Sequence, residues 1–152
     1  MKRFTFRLES LLKYRQYQEL LAQQEMAKAY KEVKTSEMRI RELKAELLRG
    51  SEALDQAAVK GISAVEFKSH ADYLDGVADD RAREIIRKTQ LETVLGEKQA
   101  ALTQKSVDKK VLERLKARKK SEYMGEFLRS EQNASDEISS LKKAREITDA
   151  IR

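Results

Sequence analysis

The chain has 152 residues, 40% hydrophobic and 38% charged, with only five tyrosines, four phenylalanines and no tryptophan. That composition, rich in Ala, Glu, Lys, Leu and Arg, excludes a thick globular core and points to coiled coil. No cysteine is present, which excludes disulfides, thiol catalysis and cysteine-ligated zinc, and a net charge of +6 favours an acidic partner without choosing among nucleic acid, anionic lipid and protein.

At the start, Lys2 and Arg3 resemble the basic region of a signal peptide, but Arg7, Glu9 and Lys13 interrupt the stretch that follows. No signal-peptide core forms. No apolar run reaches the roughly 18 residues needed to cross a bilayer, so no transmembrane segment is expected. Phe4-Thr5-Phe6 leads into a first helix expected over about 5–59, with Thr5 as its cap.

From Leu8 onward, positions spaced by four and three read Leu8, Leu12, Arg15, Glu19, Ala22, Met26, Ala29, Val33, Ser36, Ile40, Leu43, Leu47, Gly50, Leu54 and Ala57. This is a sustained heptad seam. Its small members, Ala22, Ala29 and Ser36, permit close helix approach. Outside it, Glu9 with Lys13 and Glu37 with Arg41 place acid four residues before base, worth about 0.2–0.5 kcal/mol per pair. Tyr14, Tyr17 and Tyr30 lie off the strict seam and are expected to widen the buried stripe. Gly50-Ser51 offers an early turn, but Leu54 and Ala57 keep the seam in phase beyond it.

The turn is expected over 60–63. Gly61 ends one helix in a left-handed conformation, and Ser63 with Glu66 forms a capping-box pattern for the next. With no proline to stop it, the second helix should run over about 64–147, softened at Gly76, Gly96 and Gly125, each costing about 1 kcal/mol relative to alanine. The expected fold is all-α: one coiled-coil domain over 1–152, in which two long helices form an antiparallel hairpin and the second is longer.

Folding at residue 62 makes residues whose numbers sum to about 124 face each other. Leu12 then meets Leu112, Ala22 meets Leu102, Ala29 meets Leu95, Val33 meets Leu91, Leu47 meets Val77 and Ala57 meets Phe67. Glu19 falls opposite Lys105, and Arg15 one residue from Asp108, charged layers that fix register at a cost in stability. Ile40 opposite Glu84 and Leu43 opposite Arg81 are poor layers. Beyond Lys120 the second helix has no partner, yet it carries Tyr123, Met124, Phe127, Leu128, Ala134, Ile138, Leu141, Ile147 and Ile151. That surplus suggests a groove in another molecule, entered as a helix.

No phosphate-loop, dinucleotide or metalloprotease pattern occurs. The only histidine, His70, stands near Asp72, Asp75, Asp79 and Asp80, read as a solvated acidic stretch with His70 covering Leu54 rather than as a metal site. Residues 109–120 hold seven bases against one acid, read first as a solvated face and second as a contact for an acidic protein surface. No stacking aromatics interleave with them, which argues against nucleic acid. Phe67 and Tyr73 lie near the tip as possible contact anchors.

Three motifs then resemble one family. Phe4-x-Phe6-x-Leu8-Glu9-x-Leu11-Leu12-x-Tyr14-Arg15 followed by Glu19, the tip Gly61-Ile62-Ser63-Ala64 with Phe67 and Tyr73-Leu74, and the late run Glu131-Gln132 with Asp136-Glu137-Ile138 are similar to the FliJ family of flagellar type III export proteins. The resemblance implies a non-enzymatic, cofactor-free stalk with no catalytic or metal residues, cytoplasmic and peripheral to the inner membrane. As a monomeric hairpin it would bind the export ATPase ring, the membrane export gate and export chaperones. Carried onto this chain, ring contacts fall to Phe4, Phe6, Leu8, Leu11, Leu12, Arg15, Tyr123, Phe127, Glu131, Asp136, Glu137 and Ile138, and gate or chaperone contacts to Phe67, Tyr73 and Val77. The stalk of a virulence secretion system, a self-associating structural coiled coil and a basic nucleic-acid-binding helical protein stay open as alternatives.

Overall fold

The computed structural model describes the backbone of residues 3–150 and side chains up to residue 147; Ile151 and Lys2 lie outside the described residues. Two helices account for nearly all of it: α1, Glu9–Lys60, of 52 residues, and α2, Ala64–Ala150, of 87. They pack against each other as an antiparallel hairpin whose second arm is longer, and no strand occurs among the described residues. The expected seam is the buried stripe of α1: Leu12, Ala29, Val33, Ser36 and Leu43 are buried, and the intervening seam positions from Arg15 to Ala57 are half-buried. Leu8 is the exception, exposed at the very start.

Contacts divide the chain into two units, one of Gln18–Lys105 and one joining residues up to Tyr17 with those from Ser106 onward. In the first unit the turn follows its local chemistry. Gly61 has φ of +89°, a left-handed conformation that costs a side-chain-bearing residue about 1–2 kcal/mol, and its N–H donates to the Ala58 carbonyl at 3.2 Å. Ser63 and Glu66 cap α2 reciprocally: Glu66 N–H donates to Ser63 Oγ at 3.2 Å and Ser63 N–H to Glu66 Oε2 at 2.9 Å. The backbone N–H of Ser63, then its hydroxyl, hold the Glu66 carboxyl below the usual carboxylate range.

The register of this unit is the expected one. Lys98 reaches Glu25 at 3.3 Å and Lys88 reaches Glu37 at 3.5 Å, each pair within one residue of the sum of 124. Gly50 meets Leu74 on that sum, so closely that a Cβ on Gly50 would stand 2.4 Å from Leu74 Cδ2. Gly50 therefore marks close helix approach rather than a turn, and α1 continues through it. Val77 is buried at 6% exposure, as its place opposite Leu47 requires.

The poor layers resolve into a buried polar contact. Ser36, 3% exposed, donates its hydroxyl to Glu84 Oε1 at 2.6 Å, one turn along α2 from the residue directly opposite. Arg87 lies 3.8 Å from the same carboxylate, whereas the neighbouring Arg81 buries its Nε without a partner. Leu43, at 2% exposure, packs there despite facing Arg81 by register.

The structure differs from the sequence expectations at four places. Helix one starts at Glu9, not near residue 5, so Thr5 does not cap it. Tyr14, Tyr17 and Tyr30 are each more than half exposed and do not widen the stripe, because a single facing helix covers one strip of α1 and leaves its flanks to solvent. His70 is exposed, and Ala71 and Leu74 turn inward beside Leu54 in its place. The second helix runs three residues beyond the expected 147.

Two measurements test this account. Ser36→Ala removes the hydrogen-bond donor that reaches the half-buried Glu84 carboxylate across the seam, leaving it with Arg87, and should cost about 1 kcal/mol in chemical denaturation, and the double variant Ser36→Ala/Glu84→Leu should recover most of it. Because the folded pKa of Glu66 is depressed, its capping contribution is present above the unfolded pKa and is lost as pH falls through the folded one. Carboxyl NMR titration should place Glu66 below the usual carboxylate range, and Ser63→Ala, which removes the hydroxyl but keeps the backbone donor, should reduce the depression without abolishing it.

Candidate partner-docking surfaces

The unit that holds both chain ends is built around a non-helical lead-in. Residues 3–6 make no helix, and Phe4 and Phe6 are half-buried while Arg3 and Thr5 are exposed, the period of two expected of an extended chain lying on a surface. The Glu9 N–H donates to the Phe6 carbonyl at 3.1 Å and the Leu12 N–H to that of Leu8 at 2.9 Å, so the helix grows from Leu8.

That surface is α2. The Phe4 ring lies 5.6 Å from Tyr123, centroid to centroid, and Tyr123 stacks 6.4 Å from Phe127, distances at which aromatic pairs attract beyond their area burial. Phe6 sits in a shallow groove with Leu8, Leu115 and Lys119. Charged contacts fix the same register: Arg15 Nη1 lies 3.3 Å from Asp108 Oδ2 and Lys116 Nζ 2.7 Å from Glu9 Oε2. Arg15 and Asp108 are each about one-third exposed, which screens their attraction and makes the pair a guide to register more than a source of stability.

The candidate ring-contact residues therefore divide. Leu12 is buried at 4% exposure and serves the seam, which removes it as a direct contact. Phe4, Tyr123 and Phe127 form one half-buried aromatic cluster, Phe6 shares a groove with Phe4 and the exposed Leu8, Leu11 lies further along by Arg15 and Leu112, and Arg15 is tied to Asp108. Glu131, Asp136, Glu137 and Ile138 lie further along, on the part of α2 where every described side chain from Leu128 to Ile147 is exposed. Leu128, Ile138, Leu141 and Ile147 are all more than half exposed there, a concentration of large apolar side chains beyond isolated surface leucines.

The basic segment is partly neutralised. Lys109 approaches Glu113 at 3.9 Å, Lys116 pairs with Glu9, and Arg118 and Lys119 both hold Glu122, at 2.9 and 2.8 Å. Lys119 first and Arg118 second keep the Glu122 carboxyl below the usual range. At the tip, Phe67 and Tyr73 are exposed and Tyr73 donates to Glu46, which raises the pKa of its phenol. Val77, the third tip candidate, is inside the seam and presents no surface.

Sequence reasoning did not foresee the packing of Phe6 beside Leu115 or the Phe4–Tyr123 contact. The alternation Phe-x-Phe was the available signal, and it indicates an extended stretch. Among the described residues no group of His, Cys, Asp and Glu able to hold a metal occurs, and no helix is long and apolar enough to cross a membrane.

Comparison with curated proteins and with solved structures gives no match. The family model described as flagellar FliJ protein matches residues 4–147, nearly the whole chain, from the Phe4 lead-in to the exposed end of α2. On that match, together with the unequal two-helix hairpin, this chain belongs to the FliJ family of flagellar export proteins.

Proposed function

We propose that this FliJ-family component of flagellar type III export acts as a non-enzymatic stalk. In this reading, the unit holding both chain ends docks in the export ATPase ring, while tip surfaces engage the membrane export gate and export chaperones. The observation that carries the reading is the exposed apolar α2 segment after Phe127, next to the Phe4–Tyr123–Phe127 cluster. A side chain exposed on a single helix gains burial only from a groove in another molecule, and a helix presented in this way fits such a groove. Lys110, Arg114 and Lys120 lie among the bases just before it, and they suit an acidic ring lining. Phe67 and Tyr73 are the tip anchors; Val77 is not among them. The cytoplasmic face of the inner membrane is where such a protein would work.

The flagellar assignment of the family favours this role over the stalk of a virulence system. The closed hairpin seam also disfavours self-association through Leu12 to Leu54, because those residues are already used within the chain.

Removing residues 128–152 deletes no described side chain that is even half-buried, so the shortened protein should keep the helical circular dichroism of its hairpin. Its binding to the purified export ATPase should be lost. Binding of the full chain should weaken steeply between low and physiological salt. Unchanged stimulation of ATP hydrolysis by the shortened chain would remove the docking role of this segment.

A further inference from the structure

The lead-in before α1 lies on ground that a docked partner needs. An extended chain advances about 3.3 Å per residue and a helix about 1.5 Å, so residues 3–6 reach along α2 as far as about nine helical residues do. Phe6 shares a groove with Leu115 and Lys119, and Phe4 meets Tyr123 at 5.6 Å. Beyond Phe127 the described side chains of α2 are exposed. We propose that residues 3–6 are a displaceable clasp, an inference that rests on the ring-docking reading. Closed in the free chain, the clasp covers the end of the α2 docking face nearest α1, and the ring must lift it to dock fully.

Tyr123 belongs to that face. A straight helix turns about 100° per residue, which sets Phe127, Ala134, Ile138 and Leu141 within roughly 60° of Tyr123 around α2. A partner helix laid on Ala134, Ile138 and Leu141 and continued toward α1 therefore meets Tyr123, and there it meets Phe4.

The clasp is held lightly. Phe4 and Phe6 are only half-buried and Arg3 and Thr5 are exposed, so two partly covered rings must offset the conformational entropy of the ordered segment. The helix behind it is tied down, with Lys116 at 2.7 Å from Glu9 and Arg15 at 3.3 Å from Asp108. The lead-in can therefore swing away at the turn of Arg7 and Leu8 while the hairpin stays closed. On release, Tyr123 and Phe127 join the exposed apolar face. Clasp and ring exclude each other there, so Phe4 and Phe6 lower the affinity of docking, whereas direct ring contacts would raise it.

The chain has no cysteine, so a pair can be introduced cleanly into the full-length protein. Phe4→Cys/Tyr123→Cys treated with a short reducible bismaleimide should bridge within the monomer in the absence of any ATPase. The bridged form should bind the purified export ATPase about tenfold more weakly than the same protein after a reductant opens the bridge, because a locked clasp removes the binding-competent state. Without any bridge, Phe4→Ser/Phe6→Ser should bind severalfold more tightly than the wild-type chain. Three results each overturn the clasp and leave ring docking standing: no bridge between residues 4 and 123, equal binding by the bridged and opened forms, or weaker binding by Phe4→Ser/Phe6→Ser, the mark of direct ring contacts. Absence of ATPase binding by the wild-type chain and by every variant is a different result, and it overturns the ring-docking reading together with the clasp.

Discussion

Closure of α1 onto α2 through one heptad seam is the contact on which the rest depends. Neither helix has an apolar face wide enough to stand as a globular core, and no residue of the described chain has a large side chain fully buried. Stability therefore comes from many thin layers, each shielding only part of its side chains. Such a seam needs its register fixed, because a slip of one heptad would bring apolar residues together nearly as well. The Ser36–Glu84 contact and the Arg15–Asp108 pair resist that slip, each in its own unit. A buried polar layer of this kind lowers stability while discriminating against wrong pairings.

Because the turn at Gly61 is fixed by its left-handed backbone and the Ser63–Glu66 cap, the unequal lengths of the two helices become a functional property. An 87-residue arm folded on a 52-residue arm leaves part of its own seam unmatched. The lead-in containing Phe4 and Phe6 covers a little of that excess, reaching as far as Tyr123. The exposed apolar side chains that follow are the place where this chain can gain burial from a partner.

The FliJ match and the physical reading meet on this segment. An exposed apolar helix face of this kind gains burial only from another molecule. The tip contributes differently: Phe67 and Tyr73 are single exposed rings on a rigid two-helix platform, whereas Val77 belongs to the packing beneath them.

The sequence by itself determined the seam, the turn, the capping box and the register, because each rests on local spacing or on a periodicity repeated over dozens of residues. Even the position of Ser36 as a seam residue could be read from it. What only the tertiary structure decided was the state of residues whose neighbours are distant in sequence. Phe4 and Phe6 lie extended because Tyr123 and the Leu115 groove offer them burial that a helix start would not. Gly50 lies against Leu74 so closely that a side chain there would have to displace it. Glu84, one helical turn from the residue opposite Ser36, accepts the Ser36 hydroxyl, and Tyr14, Tyr17 and Tyr30 remain exposed on a flank that the single facing helix does not cover. In each case the deciding partner sits on the other arm, and a periodicity read along one helix carries no information about the shape of the surface it meets.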